Sequence, residues 1–187
     1  MFYDIGVGIL LSIGLGKLLG VQLTALWIAM GALFSLVPDL DFLFHLRKGG
    51  SIKNAHEHRN YWHYPLLFIP IGTFVTALLD WRYAVLFLMA TLLHFIHDSI
   101  GIGWGVQWLF PFSSNHFAFF YHYEPSDKKL PRKNLYSWRH DEIETLSKEH
   151  GDEHWVRNIY FKLHPYGITE YAVFVISVVL LVVLVLK

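Results

Sequence analysis

The stretch His94-Phe95-Ile96-His97-Asp98 closes an otherwise apolar run that begins at Tyr83, and such a run reads as a buried or membrane-spanning helix. Residues four apart share a helix face, so His94 and Asp98 project together. An imidazole and a carboxylate at the end of an apolar helix are costly to bury unless something pairs with them. Candidate partners lie upstream: Asp39 and Asp41, then His58, Arg59 and His63. The reading that takes them all together is convergence on bound divalent metal.

Composition points to a membrane. Of the 187 residues, 54% are hydrophobic and only 16% charged, against roughly 45–50% and 25% in soluble domains. The length suits one domain. Formal net charge is zero, so nothing in the charge balance argues for nucleic acid. The chain has no cysteine, which excludes disulfides and thiolate metal sites. Twelve histidines are many for this length. A metal site must then be built from His and carboxylates, which suits zinc, manganese or iron.

Two apolar runs, Ile5–Leu19 and Val21–Val37, read as a hairpin of membrane helices. The start, Met1-Phe2-Tyr3-Asp4, is acidic rather than basic and so unlike a cleavable signal peptide. Gly16 and Gly20 have the spacing of a small-residue helix contact. Pro38 is expected to end the second helix, because the residue before a proline is pushed out of the α region. After a polar segment, Asp39–Tyr64, come helices at Pro65–Leu79 and Tyr83–Asp98, with Asp80-Trp81-Arg82 as the turn between them.

The aromatic, Gly-rich segment Ile100–Tyr123 suits an interfacial or re-entrant path. Residues 124–164 hold eight of the fifteen Lys and Arg residues and form a soluble excursion, with helices expected at Arg139–His150 and Asp152–Leu163. Tyr171–Leu186 carries no charge, and counted from Tyr166 it is long enough to span. The expected fold is all-α: a polytopic bundle of about five spans with a small soluble helical excursion before the last. Its parts are a membrane-embedded metal-site domain (1–123), the excursion (124–165) and a C-terminal transmembrane helix (166–187). With five spans, one side of the membrane holds twelve of the fifteen Lys and Arg residues, and the positive-inside rule makes that side cytoplasmic. The polar pairs then gather at that cytoplasmic face, with His94 about one helical turn deeper.

Each pair also has a plainer reading. Asp39 and Asp41, two apart, would address one site from an extended segment, or they merely solvate a helix end. His58 and His63 meet if a loop runs into the helix at Pro65, or they snorkel at the interface. His94 with Asp98 could be an ion pair or an intramembrane proton relay.

Three groups in this order carry a resemblance: Pro38-Asp39-Leu40-Asp41, His58-Arg59-x-x-x-His63 and His94-x-x-x-Asp98. Gly101 to Gly105 and Pro111-Phe112-Ser113 follow them. From about residue 5 to 117 the chain resembles the LexA-regulated, inner-membrane-associated metal-dependent hydrolases of bacteria. Their second group usually reads His-Arg-Gly-x-Thr-His-Ser, where this chain has Asn60, Trp62 and Tyr64 at the Gly, Thr and Ser positions. The resemblance implies Asp39, Asp41, His58, His63, His94 and Asp98 as metal ligands. Six groups exceed the needs of one catalytic zinc, so two ions are an option, each able to activate water or steady a phosphoester oxygen. Arg59 would hold a phosphate oxygen. Glu57 is a candidate base, and His56, His97 and His116 are candidates for the surrounding shell. Placement at the membrane face, rather than the resemblance, suggests as substrate a lipid headgroup or a polyprenyl or nucleotide phosphate, a phosphoester or other ester of a membrane lipid or lipid-linked molecule.

Other classes stay open. Di-iron desaturases and hydroxylases use His-rich boxes that His94-x-x-His97-Asp98 only approaches. A metal or proton transporter should carry its polar relay across the whole bilayer. An assembly protein would use the metal only to tie loops together. His150-Gly151-Asp152-Glu153-His154 is read as a solvated helix break.

Overall fold

Apolar sequence and helix coincide over most of this chain. The computed structural model describes residues 1–50, 59, 62–125 and 129–186. These divide into two compact units: Met1–Pro38 with Ile69–His94 and Asn158–Lys187, and Asp39–Phe68 with Phe95–Arg157. In chain order the helices are α1 (Phe2–Leu18), α2 (Ala25–Leu36), α3 (Leu40–Arg47), α4 (Pro65–Ala77), α5 (Trp81–Asp98), α6 (Ile143–His150) and α7 (Pro165–Val185), with strands β1 (His116–Phe119) and β2 (Leu135–Trp138) between α5 and α6.

In the first unit, α1 packs against α2 through small residues. A Cβ on Gly8 would strike the carbonyl of Gly31, and one on Gly31 would strike Ser12 Oγ. Small residues serve this purpose where lipid removes most of the hydrophobic drive between helices. Trp27, 2% exposed, donates its indole N–H to Ser12 O at 2.8 Å. Thr24 caps α2 by accepting from Trp27 N at 3.1 Å, which satisfies one of the helix's orphan donors. Of the Gly16–Gly20 pair only Gly16 makes a close contact, a Cβ there lying 3.3 Å from Trp27 Nε1 of α2. α1 ends at Leu18, so Gly20 falls in the following turn with φ +64 and open space around it. On the other side of α1, Gly6 lets the α7 backbone approach at Phe174, with 2.9 Å between a built Cβ and Phe174 Cα. The Phe2 ring lies 5.2 Å from Tyr171. Buried Glu170 of α7 accepts from Tyr160 O–H at 2.8 Å, so this acid has a partner as burial requires.

Against the five spans expected from the apolar runs, two helices among the described residues are long and apolar enough to cross a bilayer, Ala25–Arg47 and Pro165–Leu184. α1 and α4 have 17 and 13 residues, and α5 ends in polar groups. The first span also corrects the expected stop at Pro38. The chain tightens into a 3-10 turn over Val37–Asp39 and continues as α3. Proline is tolerated there because it stands at the first turn of the new helix, where its missing N–H leaves little unpaired.

The second unit corrects the all-α expectation, for β1 and β2 pair antiparallel with His116 opposite Trp138 and Phe119 opposite Leu135. The segment after α5 runs back along this sheet: Val106 N donates to Phe117 O at 3.1 Å and Phe117 N to Val106 O at 2.9 Å. Of its aromatics Trp104 is buried, whereas Phe112 and Phe120 stay exposed. Phe95 is fully buried, with the rings of His63 and Phe68 each 5.7 Å away. His122 is enclosed by Trp104 at 4.6 Å and Trp138 at 5.5 Å. Burial, aided by the charges of Arg59 and His150 and opposed by a hydrogen bond at Gly103, lowers the His122 pKa to about 4. The expected helix Arg139–His150 is a 3-10 turn, His140–Glu142, followed by α6. The expected helix Asp152–Leu163 contracts to one π-type turn, Arg157–Phe161. Asp152 accepts from Tyr123 O–H at 2.7 Å and from His154 N at 2.8 Å, and such side-chain bonds hold a turn in place of a helix.

Candidate metal centre

Within the second unit, three side chains meet around one imidazole. His63 lies in the loop leading into α4 and its side chain is fully buried. Its Nδ1 stands 2.9 Å from Asp41 Oδ2. Its Nε2 stands 3.0 Å from Asp98 Oδ2 and 3.7 Å from Asp39 Oδ1. Asp39 closes the 3-10 turn and is the most open of the three carboxylates, at 32% exposure. Asp98 is the last residue of α5. His94, one turn earlier on that helix and the last residue of the first unit there, offers a ring nitrogen within 4.8 Å of ligand atoms of Asp39, His63 and Asp98, and these four could hold a metal ion.

Two carboxylates and two imidazoles, buried or half-buried, are a donor set that fits zinc, manganese or iron. The backing of the imidazoles fits as well, since metal-binding histidines usually donate the second ring nitrogen to a carboxylate. Asp41, with no exposed surface, takes that position behind His63 and also accepts from Trp62 N at 3.3 Å. Asp4 takes it behind His94, with Oδ1 3.3 Å from Nδ1. The hydrogen bond to Asp41 fixes the His63 tautomer and leaves its Nε2 to face the site.

Electrostatics agree. Burial alone would lower the His63 pKa, yet hydrogen bonds to Asp39, Asp41 and Asp98 outweigh it and raise the pKa to about 10. A site with this excess of carboxylate attracts positive charge, as a proton or as a metal ion.

The expected residues thus fall into distinct places. Asp39, His63, His94 and Asp98 come together. Asp41 does not share a direction with Asp39, because the chain here is helical rather than extended, and its carboxylate stands behind His63. Arg59 Nη2 donates to Asp98 Oδ1 at 2.9 Å, and Nη1 donates to the carbonyls of Asp98 and Ile102 at 3.1 and 3.3 Å. It therefore anchors the ligand and closes the C-terminus of α5, where a cation also suits the helix dipole. Gly103, at φ +89, makes room for it, since a Cβ there would lie 2.5 Å from Arg59 Nη1. His97 is half-buried on α5 and outside the group of four. His116 stands on β1 beside Gln107 and His140. His56, Glu57 and His58 lie outside the described residues.

Asp4 was the residue that sequence patterns concealed. The signal was present, for an acid in the first turn of an apolar helix needs a partner, but nothing in the spacing named His94 as that partner.

No curated protein and no solved structure matches the chain. A family model does, the YdjM inner membrane protein, over residues 3–186. On that match across nearly its whole length, the chain belongs to the YdjM family of inner membrane proteins.

Proposed function

We propose that this protein is a multi-pass, membrane-bound, metal-dependent hydrolase acting on a phosphoester of a lipid or lipid-linked substrate at the cytoplasmic face. The observation that carries this reading is the set Asp39, His63, His94 and Asp98, backed by Asp41 and Asp4. Bound there, a divalent ion supplies Lewis acidity toward water and a phosphoryl oxygen. Asp41 holds the His63 imidazole in the tautomer that presents Nε2, and Asp4 lies beside Nδ1 of His94. Arg59 keeps the Asp98 carboxylate aimed, and its remaining charge favours an anionic substrate nearby. Asp39 is the open edge of the set, so substrate enters beside it. Four ligands suit one ion; a second ion would need His58. Glu57 stays the candidate base, since it adjoins that histidine in sequence.

A panel of phosphomonoester and phospholipid substrates, run on the detergent-purified full chain, tests the reading. Hydrolysis is expected from the wild type, with a loss of at least about 100-fold in Asp39→Ala and His94→Ala, as removal of a ligand or its support implies. Wild-type turnover in both variants, or iron-dependent oxidation in place of hydrolysis, would refute it.

A further inference from the structure

A second set of nitrogens converges in the same unit, on the sheet. Gln107 Nε2 lies 2.8 Å from His116 Nε2 and 3.0 Å from His140 Nδ1, and the two ring nitrogens are 3.1 Å apart. The sheet brings this about: His116 opens β1 opposite Trp138, and His140 follows the end of β2 by two residues. Gln107 and His116 are each 3% exposed, whereas His140 faces solvent.

Hydrogen bonding alone does not satisfy this triangle. A ring nitrogen either carries a proton and donates, or lacks one and accepts; an amide nitrogen only donates and an amide oxygen only accepts. Three mutual contacts among atoms of two kinds always leave one pair alike. Turning the amide or moving a proton changes which edge is repulsive and never removes it. Two of these groups are deeply buried, where such a mismatch is costly.

A cation at the centre removes the conflict, because all three atoms can then present lone pairs. The Gln107 amide turns to face its oxygen inward, which costs nothing in shape. His116 is already prepared, with Nδ1 3.5 Å from Gly105 O, the arrangement that leaves Nε2 unprotonated. Zinc ligand bonds of about 2.0–2.1 Å set ligand atoms roughly 3.3 Å apart in a tetrahedron, so the three atoms need to spread by only a few tenths of an ångström.

We propose that Gln107, His116 and His140 form a second divalent-metal site, selective for zinc or a similar borderline cation, with its fourth position open to water on the exposed His140 side. Two imidazoles and an amide oxygen exclude calcium and magnesium preference, which calls for oxygen ligands throughout. The site would pin β1 to the turn after β2.

The test is zinc content per chain after equilibrium dialysis of the detergent-purified full chain. His140→Ala, at a solvent-facing position, is expected to hold one zinc fewer than wild type. Gln107→Glu, which keeps the oxygen and adds charge, is expected to hold the full complement. Equal zinc in His140→Ala and wild type, zero included, overturns the proposal. So does a Gln107→Glu chain that folds with wild-type circular dichroism but has lost one zinc. Failure of substrate hydrolysis bears only on the other site.

Discussion

Asp41 stands behind the candidate metal centre rather than among its four candidate ligands. It lies 2.9 Å from His63 Nδ1 with no exposed surface, so replacing it disturbs the orientation of a ligand while leaving all four ligands present. Asp41→Asn is expected to weaken metal binding by about 10–100-fold, measured by chelator competition. His63 carries the pH dependence. Burial opposes its protonation, but three carboxylates raise its pKa to about 10, above the ordinary 6.5. In the metal-free chain this proton therefore adds stability that is fully present below about pH 6.5 and lost as pH rises through about 10. Metal must displace it. Affinity is accordingly expected to rise about tenfold per pH unit between those limits and then level off, readable by titration across that range. The ligands themselves were legible in sequence because His94 and Asp98 share a helix face and no plain apolar core explains them. Asp41 was legible as part of the centre but not in its place, since an alternating spacing points both carboxylates one way only in extended chain.

Among the elements, the crossing of α1 and α2 depends on absent side chains. Leucine at Gly31 would force its Cβ into Ser12 and the Gly8 backbone, and overpacking of this kind costs about 1–3 kcal/mol. Gly31→Leu is expected to lower the thermal midpoint of the purified protein, whereas Gly14→Leu, with open space around it, is not. Helix existence was legible from the apolar runs at α1, α4, α5 and α7. Helix boundaries were less so at Pro38, because a proline at the first turn of a new helix looks in sequence like the end of the old one. The strands escaped notice for another reason. β1 and β2 are four residues each, far apart in sequence, and their pairing is a long-range event with no local period to announce it.

For the whole molecule, membership of an inner membrane family agrees with the membrane character read from composition. Two helices meet the length and apolarity of a span among the described residues. Asp39, Asp41, His63 and Asp98 belong to the unit that holds the sheet and its aromatic core, whereas His94 and Asp4 belong to the other. Sequence marked the chemistry because ionisable groups in apolar context are rare enough to stand out. It could not mark the second triangle, in which Gln107 and His140 are ordinary residues until β1 and β2 pair.

The most direct test of the metal centre is the metal content of the full chain against that of Asp39→Ala, whose side chain is the most accessible ligand and the least needed for packing. Both proteins are dialysed against zinc, manganese and iron(II) in turn and analysed by elemental mass spectrometry. With at least one of these metals, the wild type is expected to hold one ion per chain more than the variant. Equal content with all three would contradict a metal centre at Asp39, His63, His94 and Asp98.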